Sequence, residues 1–572
     1  MALLEREAEL AAVERELDLL RAAATGAPHA GRAGVLAFTG ADGLGKTAVL
    51  RALAARAAAR GCTVLYARGA EQERQSGFGT LRALLAPVRP LLGERTFRAA
   101  PGRVHRLAAP AVGLAAPACA VGPPPYRVRR ALDRLVAHLA TRSAPLVVLV
   151  DDAQWADPAS LAWLTGFLPR VGPLPLLCAV AYDPATARPD LAGLRAVTES
   201  GTRRPHALDP LTAAGVRALV RDAYGLPGAG NDPGAVVPFA AECHTLTSGN
   251  PLALTHLLAR ARAAGLAPRP EALGSPASLA ELARAEGAGF LDHLQSLGPD
   301  RVRLCWAVAV LGSAATLPLA TRVAGLDAAT AREAAAALRR AHVLAPPPCE
   351  PGAALPDSAA VPGAAVRGTA RRGGTYGNAP GRDEPHKGET LAFAHSSYEG
   401  EVYRAIPAGL RTALHGQTAA MLTLTGGDQA AGARHLLEVH PDADPAVVAE
   451  LRRAARSHAG AGAPEAAYRL LGRALGEPPA RRDRPVVLYE LAWSALRSGA
   501  PVAAAHHLRA ALAEPSCGAG LRARATRVLA LAERHAPAPH RGSAAVVRRP
   551  RRTPRQRPGG EVGQEQGAAG TR

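Results

Sequence analysis

At 572 residues the chain exceeds one ordinary domain, and 48% hydrophobic content supports two to four real cores, yet only 3% is aromatic. Cores built from Ala, Leu and Val favour packed helices over β-sandwiches. The net charge of +20 does not by itself imply a nucleic-acid partner, because Arg replaces Lys almost everywhere, as the codons of a GC-rich genome dictate. Seven cysteines (Cys62, Cys119, Cys178, Cys243, Cys305, Cys349, Cys517) form no C-x-x-C pair, which argues against a zinc site or disulfide framework and for a reducing compartment.

The start, Met1-Ala2-Leu3-Leu4-Glu5-Arg6-Glu7, reads as a charged helix and not a signal peptide. No apolar run approaches the length that spans a bilayer, so a soluble cytoplasmic protein is expected. Leu4, Leu10, Val13, Leu17 and Leu20 predict an amphipathic helix over about 4–22. A strand, Val35-Leu36-Ala37-Phe38, then runs into Gly40-Ala41-Asp42-Gly43-Leu44-Gly45-Lys46-Thr47, a complete G-x-x-x-x-G-K-[ST] loop followed by a helical pattern. Gly40, Gly43 and Gly45 let successive backbone N–H groups point at a phosphate, and the following helix aims its positive end at the same place. Lys46 is suited to neutralise phosphate charge and the Thr47 hydroxyl to hold Mg²⁺, so ATP or GTP binding is expected.

Further strands are predicted at Thr63–Ala67, Pro145–Asp152 and Leu176–Ala181, with helices near 45–60, 78–93, 126–142 and 158–169 between them. Strands alternating with helices mean a parallel sheet covered on both faces. The third strand is wholly apolar and ends in two carboxylates, placed to face a nucleotide. Asp151 would reach Mg²⁺ through its water shell and Asp152 would polarise the attacking water, its side chain being shorter than the Glu of motor ATPases, so slow hydrolysis is expected. Asp157 before Pro158 reads as a helix N-cap. From about 210 onward the pattern is helical. Residues 347–389 carry Pro-Pro-Pro, Gly-Gly and scattered Arg and are expected to form a disordered insertion, as is the basic tail after 537. Gly462-Ala463-Pro464-Glu465-Ala466-Ala467 recurs as Gly499-Ala500-Pro501-Val502-Ala503-Ala504, an offset of 37 that lies close to the tetratricopeptide period.

Several phrases together resemble the large ATP-binding regulators of the LuxR type, in the STAND branch of AAA+-related ATPases. They are Leu4–Leu10, Ala67-Arg68-Gly69-Ala70-Glu71 with Phe78-Gly79, Asp151–Leu161, Ser248-Gly249-Asn250-Pro251-Leu252 and Leu391-Ala392-Phe393-Ala394-His395, spread over about 4–535. The resemblance implies an α/β P-loop NTPase with an AAA-like parallel sheet, followed by an all-α lid, a winged-helix-like region and tetratricopeptide-like repeats. It implies ATP with Mg²⁺ as ligand, Asn250 and Pro251 as reporters of the nucleotide, and His395 approaching the β-phosphate. It also implies repeats that sense an inducer or protein partner, and a nucleotide-dependent oligomer is possible.

The corresponding division is 1–210 for the ATPase domain, 211–346 for the lid and winged-helix-like region, and 347–389 for the insertion. Then come 390–426 for the remainder of the winged-helix-like region, 427–536 for the repeats and 537–572 for the tail. Two departures stand out. Tyr182-Asp183-Pro184 puts a carboxylate where relatives carry a phosphate-sensing Arg, and nothing after residue 535 resembles the helix-turn-helix with which such regulators end. The chain is expected either to be a short relative without that domain or to end in an out-of-frame tail. Its arginines Arg548, Arg549, Arg551, Arg552, Arg555 and Arg557 sit among Pro and Gly, so no sequence-specific DNA binding is expected. A protein-interaction scaffold outside transcription is the competing reading.

Overall fold

The computed structural model describes residues 3–24, 34–88, 107–114, 122–142, 145–171, 174–199, 204–226, 233–269, 279–280, 289–341, 343–345, 389–394, 396–424 and 429–536. The expected insertion at 347–388, His395 and the tail from 537 lie outside them. Glu389, placed at the end of that insertion from its sequence, is instead part of the fold: its carbonyl accepts from Leu317 N at 2.8 Å and its carboxylate pairs with Arg339.

Strands β1 (Val35–Thr39), β2 (Thr63–Arg68), β3 (Leu146–Asp151), β4 (Leu176–Tyr182) and β5 (His206–Ala207) form one sheet in the order β2-β3-β4-β1-β5. Every pairing is parallel. β3 and β4 occupy the interior of the sheet and are buried at every position, as their unbroken apolar sequences require. Alternation along them feeds two cores. Val148, Val150, Cys178 and Val180 pack toward helices α3 (Gly79–Leu85), α4 (Pro125–Arg142), α5 (Pro158–Phe167) and α6 (Leu191–Glu199). Val147, Leu149, Leu177 and Ala179 pack toward α1 (Glu7–Ala24) and α2 (Lys46–Ala59). β5 has no apolar pattern to announce it. Its two residues pair with Phe38 and Thr39, and Leu208 N donates to Thr39 O at 2.8 Å.

The chain then becomes helical. Helices α7 (Ala213–Ala223), α8 (Pro233–Thr247) and α9 (Pro251–Ala263) share a core of Leu211, Val216, Val220, Phe239, Leu254 and Leu257. A next cluster joins α10 (Gly289–Ser296), α11 (Pro299–Leu311), α12 (Leu317–Ala324), α13 (Ala328–Arg340), α14 (Ser396–Ala405) and α15 (Ala408–Leu424). Two antiparallel bridges, Thr316 with Thr390 and Leu344 with Phe393, tie it together. Last come α16 (Gln429–Leu436), α17 (Pro445–Gly460), α18 (Pro464–Gly476), α19 (Arg484–Arg497), α20 (Pro501–Ala513) and α21 (Ala519–His535). Among the described residues no helix is long and apolar enough to cross a membrane.

The 37-residue repeat is present in the backbone itself. Gly462 and Gly499 turn with φ of 78° and 80°, and Ala463 and Ala500 follow at φ −112°, ψ 68° and φ −111°, ψ 68°. Pro464 and Pro501 then open the second helix of each pair, where a missing N–H costs nothing. The first of these corners is buried against the sheet: Ala461, Ala463 and Ala466 complete the core that contains β3 and β4. The approach is closest at Gly122, where a Cβ would meet Ala459 O at 1.7 Å.

Gly122→Val therefore cannot be accommodated without parting the repeats from the sheet's core, and overpacking of this kind costs about 1–3 kcal/mol. Gly472, with nothing within 4 Å of a Cβ, is the matched control on an open helix face. Urea denaturation is expected to show a lower midpoint for Gly122→Val, while Gly472→Ala gains about 0.5–1 kcal/mol.

Candidate functional site

The phosphate-binding loop leaves β1 at the C-terminal end of the sheet, where ligands of open α/β folds lie. Gly40, Gly43 and Gly45 all take positive φ, at 151°, 83° and 97°. At Gly43 the requirement is double, because a Cβ there would also meet Asn250 Oδ1 at 2.5 Å. Lys46 is 4% exposed and donates to the carbonyls of Gly40 at 2.8 Å and Ala41 at 3.0 Å, with Asp42 Oδ1 at 3.5 Å. Its ammonium is thus held inside the loop by acceptors that phosphate oxygens can replace.

The paired carboxylates end β3 as expected, and their surroundings divide them. Asp151 is fully buried, accepts from Tyr66 Oη at 2.8 Å and is hydrogen-bonded by Thr47. Burial pushes its carboxyl above the usual range, and the charge of Asp152 adds to that. Asp152 follows in a left-handed backbone conformation, φ 46° and ψ 45°. Burial would raise it too, but Arg68 Nε, 2.8 Å from Oδ2, holds the carboxyl below the usual range. Gln154 Nε2 donates to its other oxygen at 3.0 Å. Both oxygens of the candidate base are thus already accepting hydrogen bonds.

Thr47 and Asp151 stand together beside the Lys46 loop, a donor set that fits Mg²⁺, which takes one or two protein oxygens and completes its shell with water and phosphate. Among the described residues no cluster of three or more His, Cys, Asp or Glu could hold a metal by protein ligands alone. Asp157 caps α5 through Ser160 N at 2.9 Å and also accepts from the backbone N–H groups of Phe78 and Thr80, tying α3 to α5. Asp183 is turned toward its own loop, where Oδ1 accepts from Ala185 N at 2.8 Å.

Asn250 lies on the loop. Its Oδ1 caps α9 through Leu252 N and Ala253 N, while its Nδ2 donates to Asp42 O at 2.9 Å. Pro251 opens that helix, and Leu252 N reaches Gly43 O at 3.3 Å. His395 lies outside the described residues, but its neighbour Phe393 accepts from Arg68 through its carbonyl at 3.4 Å.

Four participants carried no role in the sequence. Arg6 is buried and donates to Leu44 O at 3.0 Å and Asp209 O at 2.7 Å, binding the loop to the segment that leads into α7. Arg188 donates to Ala156 O at 3.1 Å and pairs with Gln154 O, bracing the turn behind Asp152. Tyr66 and Arg68 hold the two carboxylates. The signal for this last pair was register: β2 runs parallel to β3 with Arg68 opposite Asp151.

Residues 5–180 match the family model described as the AAA ATPase domain. This part of the chain is an AAA ATPase domain with a nucleotide-binding P-loop fold. Among solved structures, the chain is similar to the Aeropyrum pernix ORC1 protein in complex with DNA, at 17% identity, covering 71% of this chain and 94% of that one, TM-score 0.31. It is similar to the Aeropyrum pernix ORC2 protein in ADPNP–ADP complexes, at 16% identity over 59% and 80%, TM-score 0.31. A third is CDC6P from Pyrobaculum aerophilum, at 16% identity over 60% and 87%, TM-score 0.31. No curated protein matches the chain.

Glu399, on α14, extends the charged network around Asp152. Its Oε1 is sealed from solvent without a hydrogen-bond partner, and burial pushes its carboxyl from 4.5 up to about 7, with Arg68 opposing and Glu73 adding to the rise. A carboxyl raised on folding binds its proton more tightly in the folded chain, so its stabilisation is present below about 4.5 and is lost as pH rises toward 7. Glu399→Gln keeps the neutral form at all pH values. It is expected to melt above the natural protein at pH 8 and level with it at pH 4.5 in differential scanning calorimetry.

Proposed function

We propose that the chain is an ATP-binding signal-transduction switch of the STAND type, from a family of transcriptional regulators, and that it hydrolyses ATP slowly. The observation that carries this reading is Asn250. One side chain both caps α9 and bonds the Asp42 carbonyl of the phosphate loop, so a loop that shifts onto a nucleotide must move the lid helix with it. In this reading residues 1–210 bind the nucleotide, 211–346 and 390–426 form the lid and winged-helix-like part, and 427–536 carry the partner-sensing repeats.

Lys46 and the loop N–H groups would bind the phosphates, and Thr47 with Asp151 would hold Mg²⁺, which when bound supplies charge neutralisation between phosphate oxygens. Asp151 orients Thr47 through their hydrogen bond. Asp152 is the only carboxylate placed by β3 to orient a water, and Arg68 keeps it engaged. Turnover should therefore lie near that of unassisted switch NTPases, well below about 1 s⁻¹.

The scaffold reading has one observation of its own. Val502, beside the second repeat corner, is an apolar residue 62% exposed, and nothing lies within 4 Å of a Cβ at Gly499. Partners captured equally by ATP-loaded and ADP-loaded protein would favour it.

Two variants test the switch. Lys46→Ala removes a charge-assisted phosphate contact worth about 1.5–3 kcal/mol, so calorimetry is expected to give about tenfold to a hundredfold weaker ATP binding. Asn250→Ala is expected to retain ATP binding but lose the difference in limited proteolysis between ATP-loaded and ADP-loaded protein. Persistence of that difference would remove Asn250 as the coupling residue.

A further inference from the structure

Between the turn after β2 and helices α14–α16 lies a cavity of about 250 Å³, outside the nucleotide site. Its wall contains a chain of hydrogen bonds whose direction is fixed at one end. Arg434 Nε can only donate, so His435 Nε2, at 3.3 Å, must accept. His435, neutral, then carries its proton on Nδ1 and donates to His415 Nδ1 at 2.9 Å. His415 in turn donates from Nε2 to the Tyr403 hydroxyl oxygen at 2.9 Å. Burial, with Arg434 adding, keeps both rings neutral, His415 pushed down to about 4 and His435 well below its usual value. The Tyr403 hydroxyl, already an acceptor, keeps its own proton to donate at the cavity.

The remaining lining is of both signs. Arg404 is 66% exposed and meets Glu71 only at 3.8 Å, and Glu438 lines the same space. Gln72 borders it as well. Val310 and Leu437 provide an apolar wall. A purely anionic guest would face Glu71 and Glu438, and a purely cationic one Arg404. The volume lies below the roughly 300–1,000 Å³ of pockets that take drug-sized ligands, which excludes a nucleotide.

We propose that this cavity binds a free amino acid with a short aliphatic side chain. Its carboxylate takes the Tyr403 O–H and Arg404, its ammonium takes Glu71 and Glu438, and its side chain lies on Val310 and Leu437. Its role as effector rests on the switch reading above. Arg434, at the head of the hydrogen-bond chain, pairs with Glu73 at 3.0 Å, and Glu73 Oε1 accepts from Ser313 N at 2.6 Å. Glu73 sits five residues beyond Arg68, which holds Asp152, so this one turn connects cavity and nucleotide site.

Titration calorimetry of the full chain with L-valine, L-leucine and L-isoleucine, each to about 10 mM, tests the site. One-to-one binding of at least one is expected, weakened tenfold or more in L-leucinamide and N-acetyl-L-leucine, which each lack one charge. Tyr403→Phe, which keeps the ring, and Arg404→Gln, at an exposed position, are each expected to weaken binding tenfold or more, with circular dichroism spectra matching the unsubstituted chain confirming the fold. Heat from none of the three amino acids, or equal binding by both variants, overturns the site. Bound amino acid is expected to change ATP affinity about fivefold or more, and no change overturns the effector role. Lys46→Ala separates the two readings: amino-acid binding persists there although ATP binding is lost.

Discussion

Two adjacent carboxylates at the end of a buried strand cannot both remain charged without partners, and the arrangement around β3 follows from that constraint. β2 lies parallel to β3 and brings Tyr66 and Arg68 to the same end. The phosphate-loop helix brings Thr47 to Asp151. The result is an unequal pair: Asp151 with neutral hydroxyl partners and a raised carboxyl, Asp152 in an ion pair and lowered. That division leaves Asp151 beside the Thr47 hydroxyl and Asp152 already engaged by Arg68.

The same end of the sheet is where distant parts of the chain meet. Arg6, just before α1, and Asn250, the cap of α9, both bond backbone carbonyls of the phosphate loop. Phe393, far beyond, accepts from Arg68. Backbone carbonyls make such contacts insensitive to the loop's side chains but sensitive to its shape. A change of loop geometry is therefore felt in two distant parts of the chain at once.

The repeats are tied to the ATPase domain by packing at their first corner and by the Arg434–Glu73 ion pair. Ala461, Ala463 and Ala466 complete the sheet's core, and Gly122 and Gly77 leave room for a backbone and an alanine to approach. The second corner has the same backbone angles but no such counterpart. Among the described residues the first corner is buried in the sheet's core while the second packs only with its neighbouring helices. The cavity beside Tyr403 occupies the remaining seam, joined to the nucleotide side by the Arg434–Glu73 pair.

Elements whose information is local were legible from residues alone. The phosphate loop needs glycines at fixed spacing, β3 and β4 need unbroken apolar runs, Asp157 needs a proline after it, and the repeat needs its own recurrence. Each of these is a property of a short window. The short strand β5 was not legible, because two residues such as His206 and Ala207 become a strand only when Phe38 and Thr39 are already placed beside them. Arg68, Tyr66, Arg6 and Glu399 were equally silent, since a charged or hydroxyl side chain reads as solvated until packing removes its water. The sequence by itself determined that a phosphate-binding loop and two carboxylates exist. Tertiary structure decided which carboxylate is paired, through strand register, and which residue of the helical region touches the loop. Desolvation and register are properties of neighbours that lie far apart in the chain.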